Sequence, residues 1–282
     1  MREVLLPASP DELWRCLEDL PQAVVYAGGT DLLVKMYHGL SNPRALICIE
    51  RIQELRGVSE QGGHIRIGSC TTHAHLIADP LVQAHLSVLG QAVKQLGSPP
   101  IRNMGTIGGN ICTASPAGDT LPPLYALEAE VEIQSKGNMQ RIQIEEFILG
   151  PGAVNLQPGE ILAAVWIKKP DEYNLHHFEK VGLRNALACS VVNMAALLGF
   201  GSDGIVRKAS LAWGSVGPTI ATCREAEEAL TGEKLTPEGL REAAAIVRKT
   251  VNPITDVRAD AEYRRTVAGN LLLRLQNGWK KW

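Results

Sequence analysis

Apolar positions along the first hundred residues fall into short blocks of two kinds. Arg2–Leu6, Ala23–Ala27, Ala45–Ile49 and His64–Gly68 are brief apolar runs, which predict strands. Between the first two, Leu13, Leu17 and Leu20 share one helical face. Ser9 caps that helix, Pro10 takes its first position and Glu12 closes a capping box. Leu32–His38 predicts a short helix stopped by Gly39. Thr71 or Thr72 caps a helix through His73 and His75, and Leu81–Leu96 carries a helical stripe.

The periodicity then fails. In Arg102–Pro123, eight of 22 residues are Gly, Pro or Asp, and neither helix nor strand spacing persists. Such a stretch is costly to order, since glycine gives up the most backbone freedom on folding. A ligand passing close to the backbone explains the cost. Beyond it, Leu121–Leu127 reads as helix. Val131–Gln134, Gln140–Ile144 and Ile161–Ile167 read as strands, interrupted at Gly150-Pro-Gly152. Several antiparallel strands around Gly-rich loops predict an α+β domain rather than a doubly wound one. A boundary falls near Lys169-Pro170-Asp171. Leu175–Gly182, Val191–Gly199 and Ile205–Gly214 then predict a three-stranded antiparallel sheet with a turn at Ser202-Asp-Gly204. The tail is helical: Cys223–Thr231, a helix capped by Thr236 with Pro237 at its start, and a last helix from Asp260 that buries Tyr263, Val267, Leu271 and Leu275.

The step from Ala23–Ala27 through Gly28-Gly29-Thr30-Asp31 into a helix has chemical meaning. Two glycines let the backbone approach a bulky anion, and the amides opening the next helix point at it. Diphosphate is the natural guest, and a plain tight turn is the alternative. No Gly-Lys-Ser/Thr follows, and the G-x-G-x-x-G spacing is missing.

With 282 residues, 45% hydrophobic and 21% charged, the chain is an ordinary globular protein of about two domains. Its formal net charge of −2, with cations dispersed, argues against nucleic acid and anionic membranes. The N-terminus lacks a signal peptide pattern, no apolar run is long enough to span a bilayer, and a cytoplasmic location is expected. Six cysteines, none closer than 22 residues to the next, give no local zinc or iron–sulfur motif and read as free thiols. His73 and His75, two apart on a helix, point in different directions and are not expected to hold a metal.

Tyr26-Ala-Gly-Gly-Thr-Asp-Leu-Leu33 and Ile101-Arg-Asn-Met-Gly-Thr-Ile-Gly-Gly-Asn110, followed by Ala114-Ser-Pro-Ala-Gly-Asp119, resemble the FAD-binding medium subunit of molybdenum hydroxylases. The flavoprotein subunits of xanthine dehydrogenase and carbon monoxide dehydrogenase are of this family. Phe178-Glu-Lys180, Arg184, Asp256-Val-Arg258 and Glu262-Tyr-Arg264 resemble its C-terminal domain. The resemblance implies a vanillyl-alcohol-oxidase-type (PCMH) FAD-binding domain over 1–170, in subdomains of about 1–58 and 59–170. A C-terminal α+β domain follows over 174–282.

The resemblance also implies a site. Tyr26, Ala27, Gly28, Gly29, Thr30, Asp31 and Leu32 match the diphosphate segment. Thr106, Gly108, Gly109 and Asn110 match the segment completing the diphosphate and ribityl contacts. Asp119 matches an acid on the adenosine ribose, while Lys180 and Leu162 match positions near the isoalloxazine. Pro100 and Ala188 depart from the pattern, standing where relatives carry Gln and an acid.

No Ser/His/Asp set, carboxylate pair or metal cluster stands out, so no catalytic side chain is assigned and the flavin is expected to carry the chemistry. The implied partners are a large molybdopterin-containing subunit and a small subunit with [2Fe-2S] clusters, assembled as a dimer of heterotrimers. The chain would pass electrons through FAD to NAD+ or another acceptor. A stand-alone flavin oxidoreductase and a flavin-free structural subunit are the alternatives.

Overall fold

The computed structural model describes residues 2–276. β1 (Glu3–Leu5), α1 (Pro10–Asp19), β2 (Val24–Tyr26), α2 (Leu32–Tyr37) and β3 (Ala45–Cys48) form the first layer. Its sheet has the order β1-β3-β2, with both pairings parallel. The expectation of antiparallel strands is corrected here. Parallel neighbours need a crossover, which α1 and α2 supply, and apolar blocks carry no strand direction. Ser9 Oγ accepts from Glu12 N at 3.3 Å. Glu12 Oε2 accepts from Ala8 N at 2.8 Å, one residue before the position a capping box prescribes.

The second layer begins with β4 (Val58–Gln61) and β5 (His64–Gly68). Short helices follow: α3 (His73–Ala78), α4 (Pro80–His85), α5 (Ser87–Gln95), α6 (Pro99–Met104), α7 (Ile107–Thr113) and α8 (Leu121–Ala126). The chain returns through β6 (Glu130–Ser135), β7 (Asn138–Gln143), α9 (Ile144–Phe147), β8 (Ile148–Gly150), β9 (Ala153–Val154) and β10 (Ile161–Lys168). The main sheet is antiparallel throughout, in the order β4-β5-β10-β6-β7. The polar edge strand β4 has no apolar pattern and escapes sequence reading.

Two segments differ from expectation. The stripe over Leu81–Leu96 is two helices, because Leu86 (φ −117°, ψ 42°) leaves helical geometry. Much of the Gly-rich stretch is helical, against its propensity. Ser98 Oγ accepts from Ile101 N, and Pro99 and Pro100 occupy the first turn of α6, where a missing N–H costs nothing. Thr106 Oγ1 accepts from Gly109 N at 3.1 Å and opens α7.

The last layer comprises β11 (Leu175–Gly182), β12 (Ser190–Phe200), β13 (Val206–Gly214), β14 (Ala221–Thr222), α10 (Arg224–Leu230), α11 (Pro237–Thr250) and α12 (Ala261–Leu273). The three expected strands pair antiparallel, and β14 adds a short fourth beside β13. β12 is apolar along nearly its whole length because both its faces are covered. Met194, Ala196 and Leu198 pack with α11 and α12, while Ala195 and Leu197 join the core of the preceding layer. On α12 the buried residues are Arg264, Ala268, Gly269, Leu271 and Leu272, with Leu275 buried just beyond its end, and Tyr263 is exposed, contrary to expectation. The helix is turned by Arg264, whose guanidinium donates inward to Val191 O, Ser215 O and Asp256.

Candidate functional site

The two Gly-rich segments meet. A Cβ on Gly28 would stand 1.7 Å from Met104 O, so this backbone-on-backbone approach needs glycine. Gly29 has φ +69°, the left-handed region, and Leu33 N then donates back to Gly29 O. Among the described residues, the amides of Gly28, Gly29, Thr30 and Asp31 donate to no protein acceptor. Successive unpaired N–H groups around a left-handed residue form a concave anion site. The fit to a diphosphate rests on this donor set. Asp31 continues the contact between the segments, since Thr113 Oγ1 donates to its Oδ2 at 3.4 Å. Its other partner is Lys35, at 2.7 Å.

Beside this joint runs a groove of about 160 Å³. Tyr26, Ala27, Gly108 and Gly109 line it together with the apolar Val25, Ile49, Cys70 and Leu162. Gly108 lies tight against the floor: Gly108 N donates to Ser69 O at 2.9 Å, and a Cβ there would stand 2.5 Å from Ser69 Cβ. Thr106 also lines the groove and caps α7. Leu32 opens α2 and lies outside it.

A second cluster lies on the side of the last layer. Thr120 Oγ1 donates to Asn110 Oδ1 at 2.5 Å, and the neighbouring Asp119 is buried. Lys180 Nζ donates to Asp119 Oδ2 at 2.6 Å, and Asn193 Nδ2 donates to Asp119 Oδ1 at 3.1 Å. Lys180 and Asn193 are cross-strand partners on β11 and β12, so one strand pair grips a carboxylate from the preceding layer. Burial pushes the Asp119 carboxyl up, and Lys180 and Asn193 oppose that rise. Sequence reading missed Asn193 and Ser69, which lie inside ordinary apolar or small-residue runs, and gave no separate role to Met104 within its motif. Gln91 was missed too: its side chain donates to His176 O at 3.0 Å and accepts from Phe178 N at 2.9 Å, pinning α5 to the edge of β11.

The remaining expected residues fall into two groups. Leu162 belongs to the groove beside Tyr26, whereas Lys180 is bonded to Asp119.

The family model described as the FAD binding domain in molybdopterin dehydrogenase matches residues 1–170, and that of the CO dehydrogenase flavoprotein C-terminal domain matches residues 177–277. The chain is similar to the xanthine dehydrogenase FAD-binding subunit of Escherichia coli O157:H7, with 35% identity covering 88% of this chain and 85% of the relative. It is 32% identical to the nicotinate dehydrogenase FAD-subunit of Eubacterium barkeri, covering 88% of this chain and 84% of that one. Among solved structures, carbon monoxide dehydrogenase from Hydrogenophaga pseudoflava superposes with a TM-score of 0.93 at 31% identity, covering 99% of this chain and 97% of that chain.

Proposed function

We propose, from the premise that this chain belongs to the FAD-binding subunits of the molybdopterin dehydrogenases, that it is the electron-relay subunit of a molybdenum hydroxylase. In this reading it takes electrons from the [2Fe-2S] clusters of a small partner and delivers them to NAD+ or another acceptor. A large molybdenum subunit oxidises the organic substrate, and the three chains assemble as a dimer of heterotrimers. The flavin domain spans 1–170 and the C-terminal domain 174–282.

The observation that carries this reading is the joint of the two Gly-rich segments, with four unpaired amides beside an apolar groove and a buried charged cluster beyond. The amides of Gly28–Asp31 would hold the diphosphate. Thr106, Gly108, Gly109 and Asn110 would line its path. The narrow apolar groove at Leu162 suits the adenine. The Asp119–Lys180 pair would then stand at the isoalloxazine end, with Asn193 fixing the carboxylate. Bound FAD supplies one- and two-electron chemistry, which lets single electrons from iron–sulfur clusters meet a two-electron acceptor.

The purified chain, loaded with FAD, should reduce a dye slowly with NADH and hydroxylate no organic substrate. Iron–sulfur and molybdenum subunits should copurify with it from its native source. Hydroxylated product from this chain alone would overturn the subunit reading.

A further inference from the structure

Arg264 lies outside the Asp119 cluster, yet its bonds lead to it. The residue is 2% exposed on α12. Its Nη1 donates to Val191 O near the start of β12 at 2.8 Å, and to Ser215 O just past the end of β13 at 3.1 Å. Nη2 donates to Asp256 Oδ1 at 2.6 Å, which sets a carboxylate beside the buried charge. One guanidinium thus ties two strands of the last sheet together from below.

Ser215 is one link. It stands at φ +65°, in the left-handed region that a residue with a side chain rarely enters. Three bonds hold it there: Arg264 donates to its carbonyl, its Oγ donates to Ser190 O at 3.1 Å, and its N donates to Pro116 O at 2.8 Å. Such an outlier persists only where its surroundings over-determine it. Pro116 lies in the turn closed by Gly118 N on Ser115 O, and Asp119 follows that turn at once. Val191 is the other link, two residues before Asn193, whose Nδ2 donates to Asp119 Oδ1. Lys180, Asn193 and Gly214 are cross-strand partners in one row, and a Cβ on Gly214 would stand 2.1 Å from Asn193 Oδ1. The Asn193 amide therefore seats on bare backbone, and the end of β13 sets where it sits.

We infer that Arg264 is a positioning residue for the flavin site: by clamping Val191 and Ser215 from α12, it sets the Asp119 carboxylate between Lys180 and Asn193. The inference rests on the reading above, which places the Asp119–Lys180 pair at the isoalloxazine end. Two routes converge on that carboxylate, one through Ser215 and Pro116 and one through Val191 and Asn193. A planar guanidinium addresses both carbonyls and Asp256 at once, which the compact ammonium of a lysine does less well. The C-terminal helix thereby shapes a site whose acid comes from the preceding layer.

The test titrates the flavin-free full chain with FAD in a double-mutant cycle of Arg264 and Asp119. Arg264→Lys keeps a charge beside Asp256 but loses the fork, and should weaken FAD about tenfold, the loss of one charge-assisted hydrogen bond. In an Asp119→Asn background the same change should weaken FAD by no more than about twofold, because the group it positions is gone. Asp256→Asn keeps an oxygen for the Arg258 and Ala259 amides. It should weaken FAD roughly threefold, and it carries the same cycle should Arg264→Lys not fold. Leu240→Ala removes a fully buried side chain from α11 in the same layer, and should lower the melting temperature with FAD affinity unchanged. Equal losses from Arg264→Lys with and without the Asp119 carboxylate would overturn the proposal and leave Arg264 a staple of the fold. So would a loss of FAD affinity in Leu240→Ala equal to that in Arg264→Lys. A wild-type chain that takes up no FAD fails the earlier reading, whereas wild-type uptake with additive losses in the variants fails this proposal alone.

Discussion

His73 is 2% exposed, and its Nδ1 finds no partner. Its ring lies under Gly105, where the Gly-rich segments meet, and burial with the nearby Arg102 guanidinium lowers its pKa from 6.5 to about 4. The folded chain therefore binds fewer protons than the unfolded one between those values, and stability rises with pH across that window. The contribution is whole above about pH 6.5 and is lost as pH falls to 4, a change of roughly 3 kcal/mol. Urea denaturation at several pH values should show His73→Leu with a flatter acid limb than the wild type. Equal slopes would show that His73 does not carry this part of the acid sensitivity. The Lys180–Asp119 pair gives a second expectation. Both side chains are 7% exposed, so Lys180→Met strands a buried carboxylate at about 3–5 kcal/mol. Asp119→Asn added to it should recover much of that loss in the same denaturation curves, and a single variant as stable as wild type would refute the burial argument. Asp119 and Lys180 were both legible from the resemblance. Their pairing was not, because Lys180 on a strand looks like a solvated lysine until β11 brings it to Asp119.

The elements that differ most from sequence expectation do so through side-chain caps and through contacts distant in the chain. α6 and α7 form over a Gly- and Pro-rich stretch because Ser98 and Thr106 cap them and Gly108 seats against Ser69. Intrinsic helix propensity opposes them, and the seating of Gly108 on Ser69 leaves no local signal. α12 turns its buried face by one residue because Arg264 donates to three acceptors inside, and a polar residue never enters an apolar stripe. By contrast β2, α2 and the turn between them were readable, since glycine at φ +69° and a following helix leave a local signature. This loop yields a paired prediction. Gly29→Val forces a branched side chain into the left-handed region and crowds Leu33, so a folded chain with little flavin is expected. Gly28→Ala meets backbone at Met104 O and should separate the two segments, lowering the melting temperature as well as the flavin content. Flavin absorbance beside a thermal melt distinguishes them. Full flavin occupancy in Gly29→Val would refute the diphosphate role of this loop.

Across the whole molecule, the fold is the FAD-binding PCMH type with an antiparallel C-terminal sheet, as the match to carbon monoxide dehydrogenase shows. The apolar core does not stop where the linker does. Phe178, Ala195, Leu197 and Ala212 of the last layer pack into the same cluster as Ile65, Leu89 and Leu124. That continuity holds Asn110, Asp119 and Lys180 in one line of contacts, which a division at Pro170 read from the chain alone does not suggest. The central claim is that the joined Gly-rich segments address the dinucleotide half of the flavin. Titration of the flavin-free full chain with FAD and with FMN tests it most directly. One FAD per chain should bind, far more tightly than FMN, and acid precipitation should release all of it. FMN binding as tight as FAD, or no flavin uptake at all, would contradict the account.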